Sequence, residues 1–251
     1  MTTAFYAPPP SFRGDRVILP EDEARHASKV LRKGAGDTIV VVDGDGGWHR
    51  VQLDHVSRSK VVGTRVETRR EVGEMDVPLT LGVGLVKNRN RFETLVEKAV
   101  ELGATEIVPL MTERTEKESL RENRIRNLLV AAMKQCGRTR LPSVPAPRPL
   151  PAVLDEERTG LSFVCHEEIG ADGPLLSALP DADPEAVTLL IGPEGGFTGD
   201  EVSRAADAGF RPVSLGRRRL RTETAGIAAA ATVAFWIDSR STASRSAGAT
   251  T

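Results

Sequence analysis

Two glycine-rich turns hold the residues best suited to chemistry. The first, Leu189-Leu190-Ile191-Gly192-Pro193-Glu194-Gly195-Gly196-Phe197, is a buried-strand run that breaks into a loop. Glycines at a strand's carboxyl end let backbone approach a ligand where a Cβ would clash. Such ends are also where open α/β sheets bind ligands. An ordinary strand-to-helix turn would use the same residues. The second is Ser214-Leu215-Gly216-Arg217-Arg218-Arg219-Leu220-Arg221-Thr222-Glu223-Thr224-Ala225-Gly226, a strand that ends in glycine and passes through a basic loop into an apolar helix. Thr222 or Thr224 can cap that helix, whose first N–H groups can hold an anion or a polar ligand. A solvated basic loop accounts for Arg217 to Arg219. It does not account for Arg221, set between Leu220 and a helix cap.

Other chemistries lack their residues. There is no G-x-x-x-x-G-K-[ST] for a phosphate-cradling loop, and no G-x-S-x-G elbow for a serine hydrolase. Gly82-Val83-Gly84 lacks the third glycine of a dinucleotide fingerprint. His26, His49, His55 and His166 show no metal-ligand grouping, so no metal is expected.

The elements that position the two turns follow from periodicity. From Arg16 to Arg70, short apolar runs at Val17–Leu19, Thr38–Val42, Trp48–Leu53 and Lys60–Val66 predict strands, and Asp43 to Gly47 predicts a hairpin turn. Glu21 to Arg32 reads as a short amphipathic helix. These runs suggest a small β-barrel-like domain over 1–75, and Glu71 to Pro78 reads as a polar linker. After Pro78, predicted strands at 79–85, 107–110, 162–165, 187–191 and 212–215 alternate with predicted helices at 90–102, 122–135, 200–208 and 225–237. That order implies an α/β domain over 76–238 with a mostly parallel sheet and helices on both faces. The stretch 239–251 is Ser, Ala, Thr, Arg and Gly without periodicity, and reads as a disordered tail.

Composition sets the bounds. The chain has 251 residues, 39% of them hydrophobic, enough for one small and one larger core. No run approaches the length of a membrane span, and Met1 to Arg13 lacks the apolar core of a signal peptide. Cys136 and Cys165 form no disulfide framework, which points to a reducing compartment, most simply the cytoplasm. A net charge of −1 argues mildly against a nucleic-acid partner, so local clusters must decide. Three exist: Arg25, His26, Lys29, Arg32 and Lys33; Lys87, Arg89 and Arg91; Arg138 and Arg140. Each alone reads more readily as a solvated face, and a helix carboxyl end attracts Arg138 and Arg140 without RNA.

At these motifs the sequence resembles the RsmE family, the small-subunit ribosomal RNA uridine N3-methyltransferases of the SPOUT superfamily. In the small domain the matching residues are His26, Val30-Leu31-Arg32 and Gly36-Asp37. In the large domain they are Lys98 with Glu101-Leu102-Gly103, Pro109, Gln135-Cys136-Gly137-Arg138 and Pro142. Gly192-Pro193-Glu194-Gly195-Gly196-Phe197 and Leu215-Gly216 with Leu220-Arg221-Thr222-Glu223-Thr224 complete the set. One departure stands out: Lys134 replaces the family's usual Glu.

The resemblance implies a PUA-like RNA-binding β-barrel followed by an α/β domain with a SPOUT-type trefoil-knotted parallel sheet. It implies a homodimer, with S-adenosylmethionine held by Ile191, Gly192, Pro193, Glu194, Gly195, Gly196, Leu215, Gly216, Leu220, Thr222 and Thr224. The substrate it implies is 16S ribosomal RNA or the small ribosomal subunit, met by the three basic clusters. Uridine N3 must lose its proton before it attacks, so the enzyme must stabilise an anionic pyrimidine. Arg221 is the candidate for that charge, and Glu194 or Glu223 for the proton, although either carboxylate suits a loop-fixing role better. Two rivals remain: another SPOUT RNA methyltransferase acting on a ribose 2′-oxygen, and a non-catalytic ribosomal RNA-binding assembly factor. The intact glycine loops argue against the second.

Overall fold

In a computed structural model, residues 4–116, 119–167, 173–182 and 184–247 are described. The chain divides into two compact units, Met1–Glu74 with Leu129–Leu141, and Met75–Leu128 with Pro142–Thr251.

In the first unit, β-branched runs pair as predicted. The strands are β1 (Ala4–Tyr6), β2 (Phe12–Arg13), β3 (Arg16–Ile18), β4 (Thr38–Val42), β5 (Gly47–Val56) and β6 (Val61–Arg70). They form one sheet in the order β1-β4-β5-β6-β3-β2, in which only β1 and β4 run parallel. The hairpin at 43–47 is present: Gly44 and Gly46 take φ of 79° and 85°, which a glycine adopts without a Cβ clash. The predicted helix starts as α1 (Glu21–Arg25) and loosens into one π-helical turn over His26–Val30. Phe5, Val17, Ile39, Val41, Val51, Leu53 and Val61 fill the core, with Ala24 and Ala27 from the helix.

Two expectations need correction here. The sequence assigns 129–141 to the second domain, whereas the structure places it in the first unit. The reason is a set of contacts to the supposed linker. Arg138 donates from Nε and Nη2 to Glu74 Oε2 at 2.9 and 2.6 Å. The other Glu74 oxygen accepts the N–H groups of Thr139 and Arg140 at 2.8 Å each. Residues 71–74 are thus an anchored segment.

The second unit follows the βα rhythm. Its strands are β7 (Leu79–Gly84), β8 (Glu106–Met111), β9 (Arg148–Pro149), β10 (Leu161–Cys165), β11 (Val187–Ile191) and β12 (Arg211–Val213). They form one parallel sheet in the order β12-β10-β11-β7-β8-β9. Its first helices are α2 (Arg89–Glu101) and α3 (Glu122–Cys136), whose second half lies in the first unit. Then come α4 (Leu150–Leu154), α5 (Leu175–Ala178), α6 (Gly199–Asp207) and α7 (Thr222–Ala247). Val164 and Leu190 join α4 and α6 residues, with Phe197 and Phe210, in one apolar cluster. Leu189 and Ile191 point to the opposite face. Helix α7 packs on β7 and β11 beside α2.

A third expectation also changes. Helix α7 continues to Ala247, through most of the stretch read as disordered. Residues 227–247 contain neither glycine nor proline and are rich in alanine, the strongest helix former, so nothing stops the helix before Gly248. Residues 248–251 lie outside the described residues.

Candidate cofactor and active site

The parallel register brings the carboxyl ends of β12, β10, β11, β7 and β8 to one edge. There the two glycine turns meet. They line one cleft of about 420 Å³, joined by Arg114 and by Cys165, His166 and Glu167. That volume lies within the roughly 300–1,000 Å³ typical of small-molecule sites.

Close backbone approach explains the glycines. A Cβ on Gly192 would stand 2.9 Å from Gly196 C and Phe197 N, so the loop folds back on itself here. Gly196 adopts φ 70°, and its N–H donates to Pro193 O at 2.9 Å. The loop then enters α6 through a capping box: Thr198 Oγ1 accepts from Glu201 N–H, and Glu201 Oε2 from Thr198 N–H. In the second turn Gly216 takes φ 104°. The Arg221 carbonyl accepts the Ala225 N–H at 2.8 Å, which starts α7 directly behind the basic loop.

Every cofactor candidate except Thr224 lines the cleft; Thr224 is exposed on α7. Of the catalytic candidates, Arg221 and Glu194 line it. Arg221 is exposed, whereas the Glu194 carboxylate accepts the Lys87 N–H at 3.2 and 3.3 Å and so ties the loop to the end of β7. Glu223 is not among the lining residues. It is largely buried against α2, 3.7 Å from Arg91 Nε, and its Oε2 has no partner among the described residues.

The basic candidates disperse. Lys29 and Arg32 are exposed, and Lys33 is half-buried. Arg25 pairs with Glu21 and Asp22 on its own helix, and the His26 ring stands edge-on to Phe5. Arg89 begins α2, and Arg91 turns to Glu223. Arg138 is a correction: its side chain is 3% exposed and engaged by Glu74, so it offers nothing to a phosphate. Arg140 is half-exposed and donates to both Glu71 oxygens. Lys134 finds its own carboxylate, with Nζ 2.5 Å from Glu23 Oε1.

Sequence reasoning missed Arg114, His166, Glu167 and Cys165 as cleft residues. The strand-end rule signals all four, since Arg114 follows β8, Cys165 ends β10, and His166 and Glu167 come directly after it. Burial pushes the Cys165 thiol up to about 12, so it lines the cleft uncharged. Arg219 and Glu167 form an exposed ion pair at 3.2 Å. Among the described residues, no cluster of His, Cys, Asp and Glu has the makings of a metal site.

Comparison with known proteins fits this geometry. A family model described as an RNA methyltransferase domain matches residues 73–234, and one described as an RNA methyltransferase PUA domain matches 19–64. The ribosomal RNA small subunit methyltransferase E of Synechocystis sp. is 34% identical over 229 residues, covering 89% of this chain and 74% of its own length. The chain belongs to the ribosomal RNA small subunit methyltransferase E family. The Bacillus subtilis member is 29% identical over 225 residues, covering 85% of this chain and 88% of its own. The crystal structure of the Neisseria gonorrhoeae member, bound to S-adenosyl methionine, superposes with a TM-score of 0.84 at 28% identity. It covers 94% of this chain and 98% of that one. The family's fold is therefore also that of this chain: a parallel α/β methyltransferase sheet with a PUA-like unit.

Proposed function

We infer that this protein transfers a methyl group from S-adenosylmethionine to N3 of a uridine in small-subunit (16S) ribosomal RNA. The observation that carries this reading is the single cleft in which both glycine turns converge at the carboxyl ends of the parallel strands. The residues fit the cofactor. Gly196 and Gly216 leave backbone edges open, Gly192 lets the loop fold back on itself, and Ile191, Leu215 and Leu220 supply apolar walls. Thr222 is buried at the start of α7, where helix N–H groups favour a carboxylate. The cofactor supplies an electrophilic methyl on a sulfonium.

The remaining work belongs to the protein. N3 must lose its proton, and the negative charge left on the pyrimidine must be held where the methyl is presented. Arg221 lines the cleft with an exposed guanidinium and serves that charge. Glu194 anchors the loop through Lys87, and Glu223 orders the start of α7 through Arg91. We assign neither the proton. Lys29, Arg32 and Lys33 form the RNA-facing patch of the first unit.

We further read the enzyme as a homodimer with the family's knotted chain. Helix α7 leaves Phe235 67% exposed, and α5 beside it leaves Leu176 66% exposed, an apolar face suited to a second copy. Cytoplasmic residence agrees with the two free cysteines, Cys136 and Cys165. No helix among the described residues is long and apolar enough to cross a membrane. The test is mass spectrometry of nucleosides from 16S ribosomal RNA of a deletion strain, with and without the gene restored. Loss of 3-methyluridine on deletion and its return on restoration is expected. A change confined to a 2′-O-methylated nucleoside would overturn the N3 assignment.

A further inference from the structure

We propose that Arg114 is a positioning residue for methyl transfer, holding the Gly195 peptide of the cofactor loop from the turn that follows β8. The proposal rests on the cofactor reading above and concerns a side chain outside both glycine motifs.

The tip of the loop between β11 and α6 is Gly195-Gly196, which has no side chains to pack. Glycine also loses the most conformational freedom when ordered. The order of this tip must come from outside, and the turns after β7 and β8 supply it. Glu194 accepts the Lys87 N–H, and Glu201 Oε1 accepts the Glu113 N–H at 2.8 Å. Those contacts hold the two flanks. Arg114 acts on the tip: its Nη1 donates to the Gly195 carbonyl oxygen at 2.6 Å. Its stem lies along the same residue, for a Cβ on Gly195 would stand 3.2 Å from Arg114 Cβ and 3.1 Å from its Cδ. Guanidinium and stem therefore grip one peptide.

A charged donor on a carbonyl oxygen is stronger than a neutral one. Ordering the loop before the cofactor arrives lowers the entropy that binding must otherwise overcome. Arg114 also lines the cleft, so a phosphate of the RNA is the competing partner for it. The short bond to Gly195 favours positioning, and the two roles separate by experiment.

The full-length protein and its Arg114→Ala and Arg114→Lys variants are titrated with S-adenosylmethionine by calorimetry. Hydrogen exchange of the peptide over 189–198 is followed without cofactor, and RNA affinity is measured against salt. Arg114→Ala should weaken cofactor binding roughly tenfold or more, the worth of a charge-assisted hydrogen bond. Its loop should exchange faster even without cofactor. The cofactor KM should rise by a larger factor than kcat falls, with the RNA salt slope close to the parent. Arg114→Lys keeps a charged donor on a flexible stem and should recover most of the loss.

Unchanged cofactor affinity and loop exchange in Arg114→Ala would overturn the proposal. So would intact cofactor binding with weaker RNA binding and a salt slope reduced by about 0.7–0.9, the mark of a lost phosphate contact. A lysine variant as weak as alanine would overturn it too. Should Arg114→Ala fail to fold, Arg114→Gln, which retains part of the stem and a neutral donor, takes its place with the same expectations. Failure of the parent itself to bind S-adenosylmethionine would sink the cofactor reading, while the exchange comparison would still report on the grip.

Discussion

Gly84 and Pro193 touch backbone to backbone: a Cβ on Gly84 would stand 2.3 Å from the Pro193 nitrogen and 2.9 Å from the Gly192 carbonyl carbon. The end of β7 is thus one wall of the cofactor loop. Neither partner is a flexible side-chain tip, so any side chain at 84 must displace strand or loop.

Gly84→Ala should therefore weaken S-adenosylmethionine binding by roughly tenfold or more and cost about 1–3 kcal/mol of stability, as overpacking does. Gly195→Ala meets the Arg114 side chain first, at 3.1 Å, and should do less. Calorimetric titration and thermal melts of both variants check the order. Equal cofactor affinity in Gly84→Ala and the parent would show that the contact does not shape the site.

The contrast shows what a sequence can carry. Glycines before a helix, alternating βα runs and the Asp43–Gly47 turn express local backbone demands, and all were legible. The Gly84–Pro193 and Arg114–Gly195 contacts join residues far apart in sequence. They depend on strand order, which β12-β10-β11-β7-β8-β9 does not share with the chain. Arg138 shows the opposite failure. Its charge read as a phosphate contact because Glu74, 64 residues away, was read as linker. The helical stretch before Gly248 was missed because low complexity masks the high helix propensity of alanine.

Glu74 and Arg138 are 6% and 3% exposed, and Glu74 also holds two backbone N–H groups. Removing one member leaves an uncompensated buried charge, at a cost of about 3–5 kcal/mol. Glu74→Ala should lower the denaturant midpoint accordingly. Arg140→Ala, which breaks a half-exposed pair with Glu71, should cost about 1 kcal/mol or less. Urea unfolding of the two variants decides, and equal losses would contradict the buried-pair account.

The first unit should also weaken in mild acid. His49 is 2% exposed, with Asp43 at 3.2 Å from Nε2 and Thr68 at 3.0 Å from Nδ1. Burial holds its imidazole below the ordinary 6.5; Asp43 opposes that shift, and Arg65 and Arg70 reinforce it. The unfolded chain therefore binds the proton first, and stability present above 6.5 is lost as pH falls toward the folded value. For Asp43, burial pushes upward, but the N–H groups of Asp45 and Gly47, with His49, outweigh it and hold the carboxyl below 3.8. Its contribution persists to lower pH and fails only as pH drops through that depressed value. Urea midpoints between about pH 7.5 and 5 should fall in the parent and flatten in His49→Gln. Parallel curves would assign the acid sensitivity elsewhere.

Arg221 tests the chemistry itself. It lines the cleft and is exposed, and its carbonyl begins α7. If its guanidinium holds charge developing on the pyrimidine, Arg221→Lys keeps the charge but loses the planar fork of donors. Losing one preorganised donor costs roughly a hundredfold or more in rate. Cofactor and RNA affinities should barely move, because neither ground state carries that charge. A loop-anchoring role predicts the reverse pattern, with cofactor affinity, melting temperature and activity falling together. Single-turnover methylation at saturating cofactor and RNA separates the two. A rate within about twofold of the parent, against the hundredfold loss expected of a missing donor, would remove Arg221 from the chemical step.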